Sequence, residues 1–177
     1  SVTNPMNETN TTIFDSAGRP RVMVNPLGSR VTLGYDLAGN RRTVTNPMGN
    51  TTTTLFDSAS RPRATIDPLG FRTTLVYNSV GQQVAVISAL GYRSTNVFDS
   101  DGRVKATVNC LGFRTSFGFD SAGRQNSVTD ALGRISTSLF DAASNVLATS
   151  SPMGFRTTMT YDNANRQVTV KDALSRV

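Results

Sequence analysis

An aromatic residue followed by Asp or Asn returns every 21 residues, at Phe14-Asp15, Tyr35-Asp36, Phe56-Asp57, Tyr77-Asn78, Phe98-Asp99, Phe119-Asp120, Phe140-Asp141 and Tyr161-Asp162. No insertion interrupts the spacing. A second series keeps the same period and ends in glycine, at Gly28, Gly49, Gly70, Gly91, Gly112, Gly133 and Gly154. A fixed period of this length marks a repeat architecture, in which each period is one supersecondary unit that buries surface only against its neighbours. Residues 1–177 therefore read as a single array of eight units. Its phase is cut at both ends, as expected of a segment of something longer.

Both series share one turn grammar, Asx-x-x-Gly, as in Asp120-Ser121-Ala122-Gly123 and Asp67-Pro68-Leu69-Gly70. An Asp or Asn at the first position accepts hydrogen bonds from the turn backbone, Pro presets the second, and Gly supplies the left-handed conformation that closes the turn. Two turns per period leave two short strands, one roughly from Phe71 to Tyr77 and the next from Gln82 to Ile87. The predicted fold class is all-β, an antiparallel meander of about sixteen strands built from repeated β-hairpins. A β-solenoid, a right-handed β-helix with a 21-residue coil, is the alternative that also gives a fixed period. Equivalent aromatics such as Phe98 and Phe119 distinguish the two, being two strands apart (about 9.6 Å) in a meander and on adjacent strands (about 4.8 Å) in a solenoid.

The period is odd, and this has a structural cost. Two identical three-residue loops advance the register by twenty residues and so turn each successive aromatic to the opposite face. One residue per unit must be absorbed, either by an unequal turn or by a β-bulge.

Composition fits a pleated sheet. Thr, Ser and Asn are abundant and only 37% of the chain is hydrophobic. There is no His, which removes the usual general base and the commonest zinc ligand, and the single cysteine, Cys110, has no partner for a disulfide or a thiolate cluster. We expect no enzyme activity, no catalytic residues, no cofactor and no metal site. Every Asp reads as the opening residue of a turn. The arginines after the tight turn, Arg19, Arg61, Arg103 and Arg124, are expected to pair across the hairpin mouth with Asp15, Asp57, Asp99 and Asp120. With the charge absorbed in this way, nucleic acid is not an expected partner despite a net charge of +6. The aromatic column and a Thr/Ser column (Thr11, Thr32, Thr53, Thr74, Thr95, Ser116, Thr137, Thr158) read as surfaces buried alike in every unit. A Leu/Met column from Met6 through Leu27, Leu69 and Leu132 to Leu174 reads as a plug at the turn end of the sheet.

The unit from Tyr35-Asp36-Leu37-Ala38-Gly39-Asn40 to Val44-Thr45-Asn46-Pro47-Met48-Gly49 resembles the YD repeat of RHS proteins, of the toxin-complex B and C components, and of teneurins. The resemblance covers the whole chain. It implies a curved, spiralling sheet of hairpins around a hollow interior, a non-catalytic scaffold that encapsulates a cargo or toxin polypeptide, and a secreted or cell-surface setting. The alternative function is an extracellular fibre, adhesin or self-assembling filament of the same hairpins. Implied partners are further YD repeats, of the same or other copies, joined through sheet edges, together with an enclosed toxin polypeptide or a cell-surface ligand. No membrane span is expected. Family shells that release cargo use paired Asp-Pro-x-Gly motifs for autoproteolysis. Asp67-Pro68-Leu69-Gly70 matches one such element but Asp130-Ala131-Leu132-Gly133 departs from it, so Asp67 reads as a turn residue.

Overall fold

A computed structural model describes residues 2–3, 9–174 and 176. Within it the chain divides into two units, Ser1–Arg93 and Ser94–Val177. The first holds β1 (Val2–Thr3), β2 (Thr9–Phe14), β3 (Pro20–Val24), β4 (Arg30–Tyr35), β5 (Arg41–Thr45), β6 (Thr51–Phe56), β7 (Pro62–Ile66), β8 (Arg72–Tyr77) and β9 (Gln83–Ile87). The second is built from β10 (Arg93–Phe98), β11 (Val104–Val108), β12 (Arg114–Phe119), β13 (Gln125–Thr129), β14 (Ile135–Phe140), β15 (Val146–Ser150), β16 (Arg156–Tyr161) and β17 (Gln167–Lys171). No helix forms among the described residues.

Within each unit every strand pairs antiparallel with the next in sequence, so the architecture is the meander and not the solenoid. The short β1 pairs with β2 ahead of the first full hairpin. From β2 onward, six-residue strands alternate with five-residue strands. Each six-residue strand ends on the repeat aromatic, so Phe14, Tyr35, Phe56, Tyr77, Phe98, Phe119, Phe140 and Tyr161 occupy equivalent positions.

Both kinds of turn have the same length. At the tight turn the Asp99 amide donates to the Arg103 carbonyl, and the Gly102 amide donates to the Asp99 carbonyl. At the other turn Asn109, Phe113 and Gly112 repeat the scheme. The odd residue is absorbed elsewhere. Phe98 faces Val104 while Val97 faces Ala106, which leaves Lys105 as an extra residue, a β-bulge beside the aromatic. The same shift occurs in every hairpin, at Phe14, Tyr35, Phe56, Tyr77, Phe119, Phe140 and Tyr161.

The bulge restores the face of the side chains. Val97 faces Ala106, and Ala106 in turn faces Ser116 of β12. The sequence equivalent of Val97 in that strand is Gly118, two residues beyond Ser116. Two residues is an even step, so Val97 and Gly118 share a face.

Each unit is one layer thick: among the described residues, strands contact only their neighbours in the chain. The most buried side chains are consequently small. They are Val22, Ala64, Ala85, Ala106 and Ala148, all at the same repeat position, with Ala64 and Ala106 wholly inaccessible. Each faces a larger residue across the hairpin: Ile13, Leu55, Val76, Val97 and Leu139 respectively. Where that residue is Gly34 or Gly118, the partner is instead Thr43 or Ser127, whose hydroxyl stands where a glycine Cβ would be. The pairs conserve volume across the sheet, which is what dense packing demands.

The expected Leu/Met plug is not what the structure shows. Leu27, Leu69 and Leu90 are 90%, 82% and 77% exposed, and Met48, Leu111, Leu132, Met153 and Leu174 are exposed as well. A turn tip in a one-layer sheet has no second layer to enter. Met6, the first member of the column, lies outside the described residues.

The bulge yields a direct test. Lys105→Ala, at an exposed position, should change stability by no more than about 0.5 kcal/mol in urea unfolding. Deleting Lys105 should remove the bulge yet leave Val97 opposite Ala106, so the strands after β11 keep their facing and a single cooperative transition should survive; its loss would contradict this register.

Candidate functional site

The chain presents two kinds of turn, and the chemistry differs between them. At the tight turns the aromatic strand ends on an Asx residue. Asp15 Oδ1 accepts from the amides of Ala17 and Arg19 at 2.9 Å each, while its Oδ2 accepts from Arg19 Nε at 2.8 Å. Asp57, Asp99, Asp120 and Asp162 do the same with Arg61, Arg103, Arg124 and Arg166. In Asp36 and Asp141 the side-chain donor is Asn40 or Asn145. Asn78 takes the same place, accepting from the Val80 and Gln82 amides. Asp101 differs from the expectation for the aspartates: it sits third in its turn and adds a second carboxylate to Arg103, 2.8 Å from Nη2.

The contacts at the first turn position lower the pKa values of Asp15, Asp36, Asp57, Asp99, Asp120, Asp141 and Asp162 below the ordinary 3.8. For Asp15, Asp57, Asp120 and Asp162 the largest cause is the backbone hydrogen bond from the Arg four residues on. For Asp36 and Asp141 it is the asparagine side chain. At Asp99 desolvation is the largest effect and opposes ionisation, but the hydrogen bonds and charge of Arg103 together outweigh it.

The residue that pairs with the Asx also reaches forward to the next hairpin. The guanidinium carbons of Arg19, Arg61, Arg103 and Arg124 lie 4.4, 4.7, 4.5 and 4.8 Å from the ring centres of Tyr35, Tyr77, Phe119 and Phe140. Arg124 Nη1 also donates to the Asp141 carbonyl at 2.6 Å and to Ser144 Oγ at 3.1 Å. Asn40 reaches Ser60 Oγ at 3.2 Å, and Asn145 reaches Asn165 Oδ1 at 2.9 Å. This explains three departures from glycine. Ser60, Ser144 and Asn165 hold left-handed φ angles of 58°, 70° and 59°, a costly conformation for an L side chain, and each is an acceptor for the hairpin before it.

Tyrosine adds a further link. The hydroxyls of Tyr35, Tyr77 and Tyr161 donate to the carbonyls of Pro20, Pro62 and Val146, at 2.8, 2.9 and 3.0 Å. Each accepting residue faces the preceding aromatic at its bulge, where the ladder is interrupted. The position alternates Pro20, Arg41, Pro62, Gln83, Val104, Gln125, Val146, Gln167, so a two-hairpin period underlies the 21-residue one.

At the other turns Asn25, Asn46, Asp67, Asn109, Asp130 and Asp172 accept the amides two and four residues on. Asp67 is thus a turn residue with both amide bonds made. Gly28, Gly49, Gly70, Gly91, Gly112, Gly133 and Gly154 all close these turns at positive φ. Among the described residues, no side chain of this edge bridges to the neighbouring hairpin as Arg124 does on the opposite one. Among them, too, no group of three or more His, Cys, Asp or Glu could hold a metal ion, and Cys110 is exposed and unpaired at a turn tip. No described helix is long and apolar enough to cross a membrane.

Hairpins in series, bound edge to edge and linked only to their neighbours, define a structural repeat scaffold. The family is RHS. A model described as RHS Repeat matches residues 14–51, 98–135 and 140–177, well over half of the chain, and the chain belongs to that family. Each match runs for nearly two of the 21-residue units, the length of the alternation above. Among solved structures the chain is similar to TcdB2-TccC3-TEV (TM-score 0.55, 14% identity, covering 92% of this chain and 11% of that one) and to TcdB2-TccC3 (TM-score 0.52, 15% identity, 92% and 13%). It therefore shares their fold over about a tenth of their length. No curated sequence matches significantly.

Two measurements test the links. Tyr35→Phe should lower stability by about 0.5–1.5 kcal/mol, the worth of one intramolecular hydrogen bond. Asp15, Asp36, Asp57, Asp99, Asp120, Asp141 and Asp162 hold folded pKa values below their unfolded value of 3.8, so their stabilisation is complete above 3.8 and is lost as pH falls through the folded values. The urea midpoint should stay level from neutral pH to about pH 5 and drop below about pH 4. In Asp120→Asn, which keeps the turn acceptor but not the charge, the acid drop should be shallower.

Proposed function

We propose that the chain is a wall segment of a hollow RHS shell that encloses a cargo polypeptide, such as a toxin, and shields it by steric exclusion. The observation that carries this reading is the thickness of the sheet. Each unit is one strand layer, its buried residues apart from Leu33 are small, and both faces reach solvent. A globular domain needs two packed layers around a core, whereas a wall does not. The shared fold with TcdB2-TccC3 chains supports the same reading.

In this role the eight units, residues 1–177, act as one array, and no chemistry is asked of them. The aromatic-Asx and glycine positions are the structural signature of the wall, with catalysis, cofactor and metal absent. Its sheet edges pair with further repeats of the same or another copy, and the whole protein works outside the cell or at its surface, delivering the cargo.

The test uses the full-length protein that contains this chain. Under native conditions a polypeptide enclosed by the repeats should resist added protease, and it should become digestible when mild denaturant opens the wall. Cleavage of that polypeptide at the same rate with the wall intact would refute the shell. A straight rod with no internal space in electron micrographs would make the array an extracellular fibre instead.

A further inference from the structure

The second turn edge is built unlike the first. In the Ser1–Arg93 unit, two successive hairpins end in Leu69-Gly70-Phe71-Arg72 and Leu90-Gly91-Tyr92-Arg93. Both leucines project as turn tips, and Phe71 and Tyr92 behind them are 55% and 56% exposed. Arg72 and Arg93 are exposed and take part in no ion pair among the described residues. The Ser94–Val177 unit repeats the pattern at Leu111, Phe113 and Arg114 and at Met153, Phe155 and Arg156. Apolar tip, aromatic shoulder and an arginine outside any ion pair thus recur in this order at four turns of this edge, while at two others Arg134 and Arg176 pair with Asp130 and Asp172. The tight-turn edge lacks this order. Its carboxylates are matched by Arg19, Arg61, Arg103 and Arg124, and only Leu37 and Val80 stand out as exposed apolar tips among its described residues.

We propose that this edge docks on an anionic lipid surface. Leucine and methionine tips enter the acyl boundary, Phe and Tyr lie at headgroup depth, and the arginines meet lipid phosphates and carboxylates. Charge chooses this occupant over a second copy of the chain. An edge-to-edge pair would set Arg72 and Arg93 against the same cations of the other copy, with only Asp67 nearby in the sequence to offset them. Sequence-equivalent tips are two strands and two residues apart, about 12 Å, so each enters separately and no continuous apolar strip is needed. Docking of this kind is peripheral, and it does not depend on the shell reading.

The experiment is co-sedimentation of the chain with vesicles of phosphatidylcholine, with and without phosphatidylserine, at low and high salt. Binding is expected to the phosphatidylserine vesicles and should weaken with salt. The double variants Leu69→Ser/Leu90→Ser and Arg72→Gln/Arg93→Gln should each weaken it about tenfold or more, with Leu37→Ser, on the opposite edge, unchanged. Circular dichroism verifies that each variant keeps its sheet. Absence of binding to phosphatidylserine vesicles overturns the proposal, as does equal binding by all variants. So does a result in which Leu69→Ser/Leu90→Ser disperses an oligomer in sedimentation while vesicles bind no form of the chain, which would make the edge a contact between copies.

Discussion

The alternation of side chains across a strand governs everything else in this chain. Two equal turns per period fix the advance at twenty residues, and the sequence repeats every 21. Left there, each new hairpin would present its apolar column to the wrong side. The bulge beside every aromatic removes the conflict, and it does so in all eight hairpins. A bulge is also the natural place for a break in the hydrogen-bond ladder, and the hydroxyls of Tyr35, Tyr77 and Tyr161 bind carbonyls at that position. Register, facing and inter-hairpin bonding are therefore a single arrangement.

A one-layer sheet cannot rely on a central core, so its cohesion is distributed. On one face it comes from compensating volumes, with Ala64 against Leu55 and Thr43 against Gly34. At the tight-turn edge it comes from Arg or Asn side chains that are held by their own Asx residue and bound to the next hairpin. Each such contact is modest, about 0.5–1 kcal/mol for an exposed cation–π pair. Their strength lies in recurrence, since a repeat array gains one interface for every unit added.

Much of this was legible in the sequence. The 21-residue spacing carried the meander, the Asx-x-x-Gly grammar carried both turns, and the oddness of the period required an absorbed residue. The local pairing of Arg103 with Asp99 followed from their spacing. Its onward contact with the Phe119 ring did not, because it joins residues of adjacent hairpins and depends on the stagger that the bulge sets. The small-residue column was hidden for another reason. Val22, Thr43, Ala64 and Ser127 look unrelated until each is read against the residue it faces. The turn leucines misled the reading because an apolar tip suggests a covering layer, and this fold supplies none within either unit.

The two-residue offset between rows and repeats has a geometric meaning of its own. Within each unit this offset keeps equivalent residues on a line oblique to the strands, so the tight turns and the leucine turns of a unit each form a slanted series. Along the first series Arg19 and Arg61 in one unit, and Arg103 and Arg124 in the other, are committed to holding hairpins together. Along the second, Leu69 and Phe71 stand in solvent, and Arg72 enters no ion pair among the described residues. The division follows from the need to bind neighbouring hairpins: one series of turns suffices for it, which leaves the residues of the other available for contacts outside the chain.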